Sequence, residues 1–358
     1  MGSPTCTYSH GVLINPANAV RYHESDDFNV NLNLGAVGSD EDELIDNADD
    51  LANQLDLLTT LSSSTSPAVL QDIEDTLVLL DGSDANVVVG GNITIGIPSS
   101  NFSAVFFVNV IGGVEVVMDV DSTDLDKIRA LIEDPTNAPD INVETDLVSE
   151  ITATGLVLRE IGIGFGKEFD VKGQPIALGI TPKHQYVETI AYTETVSNID
   201  SDNFDAEQFT TDDSNLNLDL GISTHWNNVY AGLSVTNLIS NDYATVNPAK
   251  TVRIETKTSA GFSYVNGWGN VGIDLDLNPV QYLGTDNDVQ FVKLGAEVNI
   301  YRTVQLRMGY RHDLEDTLDD TVSVGVGLSP FDVVNLDIAA LKGGDDTFGA
   351  AVQLGVSF

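Results

Sequence analysis

The chain has 358 residues, 42% of them hydrophobic, and carries 15 basic against 55 acidic side chains for a net charge of −40. That composition supplies a sizeable core and excludes a disordered polymer. It also argues against direct nucleic-acid binding, which needs clustered Lys and Arg, and leaves solvated acidic loops, able to collect divalent cations weakly, as the expectation.

One cysteine, Cys6, excludes an internal disulfide, a CxxC redox pair and a multi-cysteine zinc site. The Met1-Gly2-Ser3 start lacks the charged-then-apolar run of a secretory signal, so an exported form would be a processed one. No run approaches the ~20 apolar residues of a membrane helix. The best, Ala104 to Met118, is broken by Asn109, Gly112, Gly113 and Glu115. Helical insertion is excluded; insertion by strands is not.

In chain order, Asn15-Pro16-Ala17 reads as a helix cap with proline at the first helical position. A strand follows at Phe28 to Val37, with Phe28, Val30, Leu32, Leu34 and Ala36 opposite Asn29, Asn31 and Asn33. Leu44, Leu51, Leu55, Leu58 and Leu61 then recur at helical spacing, and Leu70, Ile73, Leu77 and Leu80 mark a second short helix. From Asn86 onward strands dominate, with a second, partly helical interruption between Asp119 and Thr145.

The connections between strands alternate. Short turns such as Pro98-Ser99-Ser100-Asn101, Asn227-Asn228 and Asn266-Gly267 are interleaved with longer acidic loops such as SNIDSDNFDAEQFTTDD and HDLEDTLDD. About fourteen strands joined in this way form the pattern of an all-β, transmembrane antiparallel β-barrel of outer-membrane type, with short periplasmic turns and long extracellular loops. Strand faces agree: Val271, Ile273, Leu275 and Leu277 oppose Gly272, Asp274 and Asp276, and Val322, Val324, Val326 and Leu328 oppose Ser323, Gly325 and Gly327. The last strand ends on an apolar face of Phe348, Ala350, Val352, Leu354, Val356 and Phe358, where Phe348, Val352, Leu354, Val356 and Phe358 resemble the C-terminal assembly signal read by barrel-assembly machinery. It should pair with the first strand to close the barrel.

The segments INPANAV, DDFNVNLNLGAVGSDEDELIDNADD, LGITPKHQYVETIAY, LRMGYRHDLEDTLDDTVSVGVGLSPF and GGDDTFGAAVQLGVSF together resemble the conjugal-transfer TraF family of the outer-membrane β-barrel type. The thioredoxin-like protein of the same name is a different one, against which the single cysteine argues. The family is distantly similar to FadL-type fatty-acid channels, and that likeness implies a fourteen-stranded barrel with a small N-terminal lumen plug. The division expected is 1–26 as the N-terminal segment and 27–358 as barrel, with helical insertions in the extracellular loops at about 40–81 and about 119–145.

No catalytic constellation stands out, so no enzyme and no cofactor are expected. His10, His23, His184, His225 and His312 lack metal-ligand spacing, and the acidic runs do not fit a calcium loop. Strand faces direct Arg253, Glu255, Lys257, Asp274, Asp276, Lys293, Glu297, Arg307, Arg311 and Asp337 into the lumen, as cross-strand ion pairs or as a solute-filtering constriction. The Gly112-Gly113 pair and an apparent slip of alternation at Arg159-Glu160 mark either an ordinary bulge or a wall interruption of the kind that releases apolar solutes sideways.

Two functions follow. One is a cell-surface structural or interaction component of DNA transfer, with conjugation-system proteins as partners. The alternative is a FadL-like passive channel for a small hydrophobic solute. In either case outer-membrane lipid surrounds the barrel.

Overall fold

The computed structural model describes residues 9–22, 27–40, 43–60, 67–99, 102–134, 142–198, 206–248, 250–283, 285, 287–300, 303–330, 333–344 and 346–357. Its wall strands are β1 (Asn29–Asp40), β2 (Asp84–Ile97), β3 (Ser103–Asp119), β4 (Glu150–Val171), β5 (Gln174–Thr195), β6 (Thr210–Trp226) and β7 (Val229–Thr236). The loop after β7 carries a small hairpin, β8 (Asn241–Ala244) and β9 (Thr251–Ile254), before the wall resumes with β10 (Lys257–Asn266) and β11 (Gly269–Asp276). A second small hairpin, β12 (Val280–Gln281) and β13 (Asp288–Val289), precedes β14 (Phe291–Ile300), β15 (Val304–Asp313), β16 (Thr321–Leu328), β17 (Val334–Gly343) and β18 (Thr347–Ser357).

Fourteen antiparallel strands close into one barrel, and the two hairpins form separate two-stranded sheets that are not part of its wall. Closure is made by β1 on β18, in register from Asn29–Ser357 to Gly38–Phe348, so the first and last strands leave no open edge. Phe358 lies outside the described residues.

Period-2 alternation sorts every wall strand into an outer and an inner face. Val326, Ile338, Val352 and Leu34 occupy one cross-strand row on the outside, and all four are exposed. In water such a row would need a covering layer. Phe348, Val352 and Leu354 of β18 belong to the same exposed band, with Val356 half-buried on that face. Exposed Phe28, Phe169, Trp226, Tyr264 and Trp268 ring the end that carries the short turns. At the loop end Lys342 lies over Phe348, 5.0 Å from the ring centroid, its stem on the apolar band and its charge toward water.

The helical insertions are α1 (Leu44–Thr60), α2 (Pro67–Leu80), α3 (Ser122–Glu133) and the single-turn α4 (Val143–Asp146). Leu51, Leu55, Leu70, Ile73 and Leu77 pack on one another, as their spacing predicts, and Ile128 and Leu131 of α3 join them. They also pack on Ala85, Val116, Met118 and Ile151, the outward-facing ends of β2–β4, so the helices lean against the outside of the rim. Asp121 caps α3 by accepting the Thr123 hydroxyl and backbone N–H, which hold its carboxyl below the usual carboxylate range.

Two expectations need correction. The wall interruption at Gly112, Gly113, Arg159 and Glu160 is not present: β3 and β4 pair residue for residue from Asn109–Glu160 through Gly112–Val157 and Gly113–Leu156 to Glu115–Thr154. The β2–β3 register is equally unbroken at Val88–Gly113 and Val89–Gly112. The apparent slip has another cause. Leu156 and Leu158 point inward but remain apolar because a loop covers them from inside, while Arg159 points outward to Glu188, 2.9 Å away, and lies over the Tyr186 ring.

The second correction concerns the strand read as Val252 to Tyr264. It is broken at Glu255-Thr256, where the Thr256 N–H donates to Ser240 Oγ instead of to a neighbouring wall strand. Arg253 therefore sits on the β8–β9 hairpin with Glu255 just after it, and neither belongs to the wall.

Candidate functional site

The lumen is filled from the β3–β6 side. At the turn end, the 3-10 helix Pro16–Val20 lies on the inner face of β4–β6, and the 3-10 helix Ser9–Leu13 beside it places Val12 against Val105 of β3 and Gly164 of β4. Asn15 caps the second helix by accepting the Ala17 N–H, and its amide donates to the Ile222 carbonyl at 3.3 Å. The seat is made of glycine: a Cβ on Gly179 would strike the Pro16–Ala17 peptide, and one on Gly221 would strike the Asn15 side chain. Arg21 follows, bonded to Ser223 at 3.2 Å and Glu168 at 3.4 Å.

Further along this wall Lys183 is buried between two carboxylates, 2.9 Å from Glu160 and 3.0 Å from Asp219. Gln185 donates to Glu160 at 2.8 Å and accepts from Asn217 at 2.9 Å, and Asn109 donates to the other Glu160 oxygen at 2.8 Å. The network satisfies the charges that burial would otherwise penalise. It also holds a loop, because Asn237 N–H donates to Asp219 at 2.8 Å and Ile239 N–H to Asn217 at 3.1 Å.

That loop turns inward, not out into solvent. Tyr243, Val252 and Ile254 of the β8–β9 hairpin are buried against Leu156 and Val187 of the wall. The Tyr243 hydroxyl donates to Asn215 at 2.7 Å, and burial pushes its pKa up to about 12. The β12–β13 hairpin folds in beside it. Gln281 N–H donates to Glu255 at 2.8 Å, and Arg253 N–H donates to the Gln281 amide oxygen at 2.6 Å, so the two hairpins lock together. Arg253 pairs with Asp242 at 2.7 Å and Glu255 at 3.6 Å.

On the opposite wall the remaining charged residues face inward and gather in two groups. Asp276 meets Lys257 at 2.7 Å and Lys293 at 3.9 Å; Asp274 pairs in register with Lys293. Lys257, Lys293 and Arg311 surround the Phe291 ring at 5.8, 5.2 and 4.7 Å from its centroid. In the second group Arg307 bridges Glu297, at 2.7 Å, and Asp337. These are cross-strand ion pairs that fill the interior.

The side bounded by β1, β2 and β16–β18 stays open, as two adjoining chambers. Toward the loop end is a polar vestibule of about 450 Å³, lined by Ser39, Asp84, Asn86, Tyr282, Arg311, Asp319 and Thr347. Beneath it is an apolar chamber of about 380 Å³, lined by Gly35, Val37, Val88, Gly90, Ile111, Ala339, Leu341, Gly349 and Ala351. Val37 borders both, and along β2 and β18 the linings change within two residues, from Asn86 to Val88 and from Thr347 to Gly349. Small inward side chains on adjacent strands create the space; large ones would have closed it. Among the described residues no group of three His, Cys, Asp or Glu side chains is placed to hold a metal ion.

A family model described as "F plasmid transfer operon, TraF, protein" matches residues 12–276. The chain belongs to that TraF family. No curated protein matches it. Among solved structures it is similar to a TodX deltaS2S3 mutant, a monoaromatic hydrocarbon channel, with TM-score 0.57 and 11% identity, covering 100% of this chain and 96% of that one. It is also similar to the P. putida toluene transporter TodX, with TM-score 0.57 and 10% identity, covering 97% of this chain and 94% of that one. At such identity the likeness shows the fold alone: this TraF-family chain shares a barrel architecture with them.

Strand alternation alone places eight of the ten charged residues on the inner wall. Reading by alternation passes over Lys183, whose partners Glu160 and Asp219 lie on the inner faces of flanking strands; the signal was a lysine on a face otherwise carrying Thr181, Gln185 and Thr189. The chambers carry no local signal, because they depend on which loops enter the lumen and which do not.

Proposed function

We propose that this TraF-family barrel is an outer-membrane channel through which small apolar solutes pass without an energy source. The observation that carries this reading is the apolar chamber of about 380 Å³, reached through a polar vestibule and walled by Val37, Val88, Ile111, Ala339 and Leu341. A dry cavity of about 150 Å³ already holds benzene, so one or two aromatic rings fit this space. In this reading outer-membrane lipid covers the outer band, barrel-assembly machinery reads the C-terminal strand, and the chain carries out no catalysis.

The test uses the full chain in nanodiscs with radiolabelled naphthalene. Wild type should take up naphthalene above the lipid background, whereas Ala339→Trp, which fills the chamber, should not. Equal uptake by the two would overturn the proposal.

A second reading, a cell-surface component of conjugal DNA transfer with conjugation-system partners, is favoured by the family match over residues 12–276. Deletion of the gene should then lower mating frequency, and Ala339→Trp should restore it as well as wild type does, since contact would not need the chamber.

A further inference from the structure

The β12–β13 hairpin ends in a tip that borders the vestibule and stands beside Val88, a residue of the apolar chamber. Tyr282 lines the vestibule, and the next residue, Leu283, packs against the cluster of Leu156, Tyr243 and Val252 and rests on Gly113 of β3. Its Cβ and Cδ1 lie 3.1 Å from the point where a Cβ on Gly113 would stand, so a side chain at 113 makes Leu283 give way by a few tenths of an ångström. The same point is 3.4 Å from Val88, which lines the apolar chamber, and Ile111 two residues away on β3 lines it too. Leu283 has φ 32°, a left-handed conformation that leucine rarely takes. The hairpin is closed on itself by Tyr282 N–H to the Asn287 carbonyl at 2.9 Å and Thr285 N–H to the Tyr282 carbonyl at 2.8 Å, and is tied to the neighbouring hairpin at its base through Gln281, so Leu283 can move on an anchored base.

We infer that the Tyr282-Leu283 tip, seated on Gly113, is the gate and size filter between vestibule and chamber. This rests on the channel reading above and assigns its specificity to two residues of an inward-folded loop. A solute leaving the vestibule passes between the tip and the β1 wall at Val37. A tip that lifts from Gly113 widens that gap; a tip held on Gly113 narrows it. The glycine seat therefore has a second use, since removing it displaces the tip without altering any residue that lines the chamber.

The test locks and unloads the tip. In a Cys6→Ser background, the Gly113→Cys, Leu283→Cys pair places two Cβ atoms close to the ~3.5–4.5 Å that a disulfide spans. Entry of naphthalene into nanodisc-held protein is followed by stopped-flow fluorescence, with Ala339→Trp nanodiscs as the lipid background. Oxidised double variant should load about tenfold more slowly than the same protein after reductant, with the final amount bound unchanged. Gly113→Ala and Leu283→Ala, each in single-variant form, should load faster than wild type and admit larger ring systems such as anthracene. Equal rates before and after reduction, or unchanged rates and size limit in both single variants, overturn the gate while leaving the channel standing. No wild-type uptake above the Ala339→Trp background overturns the channel, and the gate with it.

Discussion

Lys183 reaches across the β5–β6 pair to Asp219, 3.0 Å from Nζ to the carboxylate, and that carboxylate in turn accepts the backbone N–H of Asn237. One ion pair thus joins the barrel wall to the loop folded inside it. With Glu160 at 2.9 Å from the same ammonium, a single lysine compensates two buried carboxylates.

Lys183→Met should therefore cost about 3–5 kcal/mol of unfolding free energy, the range for stranding buried charge. Urea unfolding of the detergent-held barrel measures it. The triple variant Lys183→Met, Glu160→Gln, Asp219→Asn should recover most of the loss. A recovery of nothing would mean that packing, and not stranded charge, carried the cost.

The N-terminal segment should leave its seat when the glycines beneath it acquire side chains. Gly179→Val places atoms on the Pro16–Ala17 peptide, an overpacking worth about 1–3 kcal/mol. Hydrogen exchange should speed up across residues 12–20 while the wall strands keep their protection. Protection unchanged at Ala17 and Asn18 would show that the segment is held in some other way.

The outer face should reject charge. Val324 is exposed near the middle of the outward face of β16, and Val324→Arg should cost about 2–4 kcal/mol of folding free energy in a bilayer. Refolding yield into phosphatidylcholine vesicles reads the effect. A yield equal to wild type would place Val324 outside the lipid band.

Tyr243 gives the inward hairpin a pH dependence. Its pKa is pushed up to about 12, first by burial and then by the charges of Asp213 and Glu160. A proton held more tightly in the docked hairpin stabilises docking below the ordinary phenol value of 10.0, and that stabilisation is lost as pH rises from there through about 12. Difference ultraviolet titration of wild type against Tyr243→Phe should show one phenol ionising near 12. Its appearance near 10 would mean that the hairpin is not docked in solution.

Much of the architecture was legible in the residues taken singly. The period of two is local, so Val322, Val324 and Val326 separate from Ser323, Gly325 and Gly327 whatever the partner strand is, and the charges of β10, β11, β14, β15 and β17 follow the same rule. Leu156 and Leu158 misled for the same reason. An apolar residue on an inner face breaks the local rule unless something covers it, and the cover, Tyr243, Val252 and Ile254, lies far along the chain.

A barrel of about fourteen strands with an apolar outside and a charged inside follows from the residues alone, because alternation and turn spacing are written within each hairpin. How the inside is occupied does not follow from any one segment. Which loops fold inward depends on contacts such as Asn237 with Asp219 and Leu283 with Gly113, made between segments with no local relation. The free energy of those long-range contacts, and not any strand's own pattern, fills one side of the lumen and leaves the β1, β2 and β16–β18 side open.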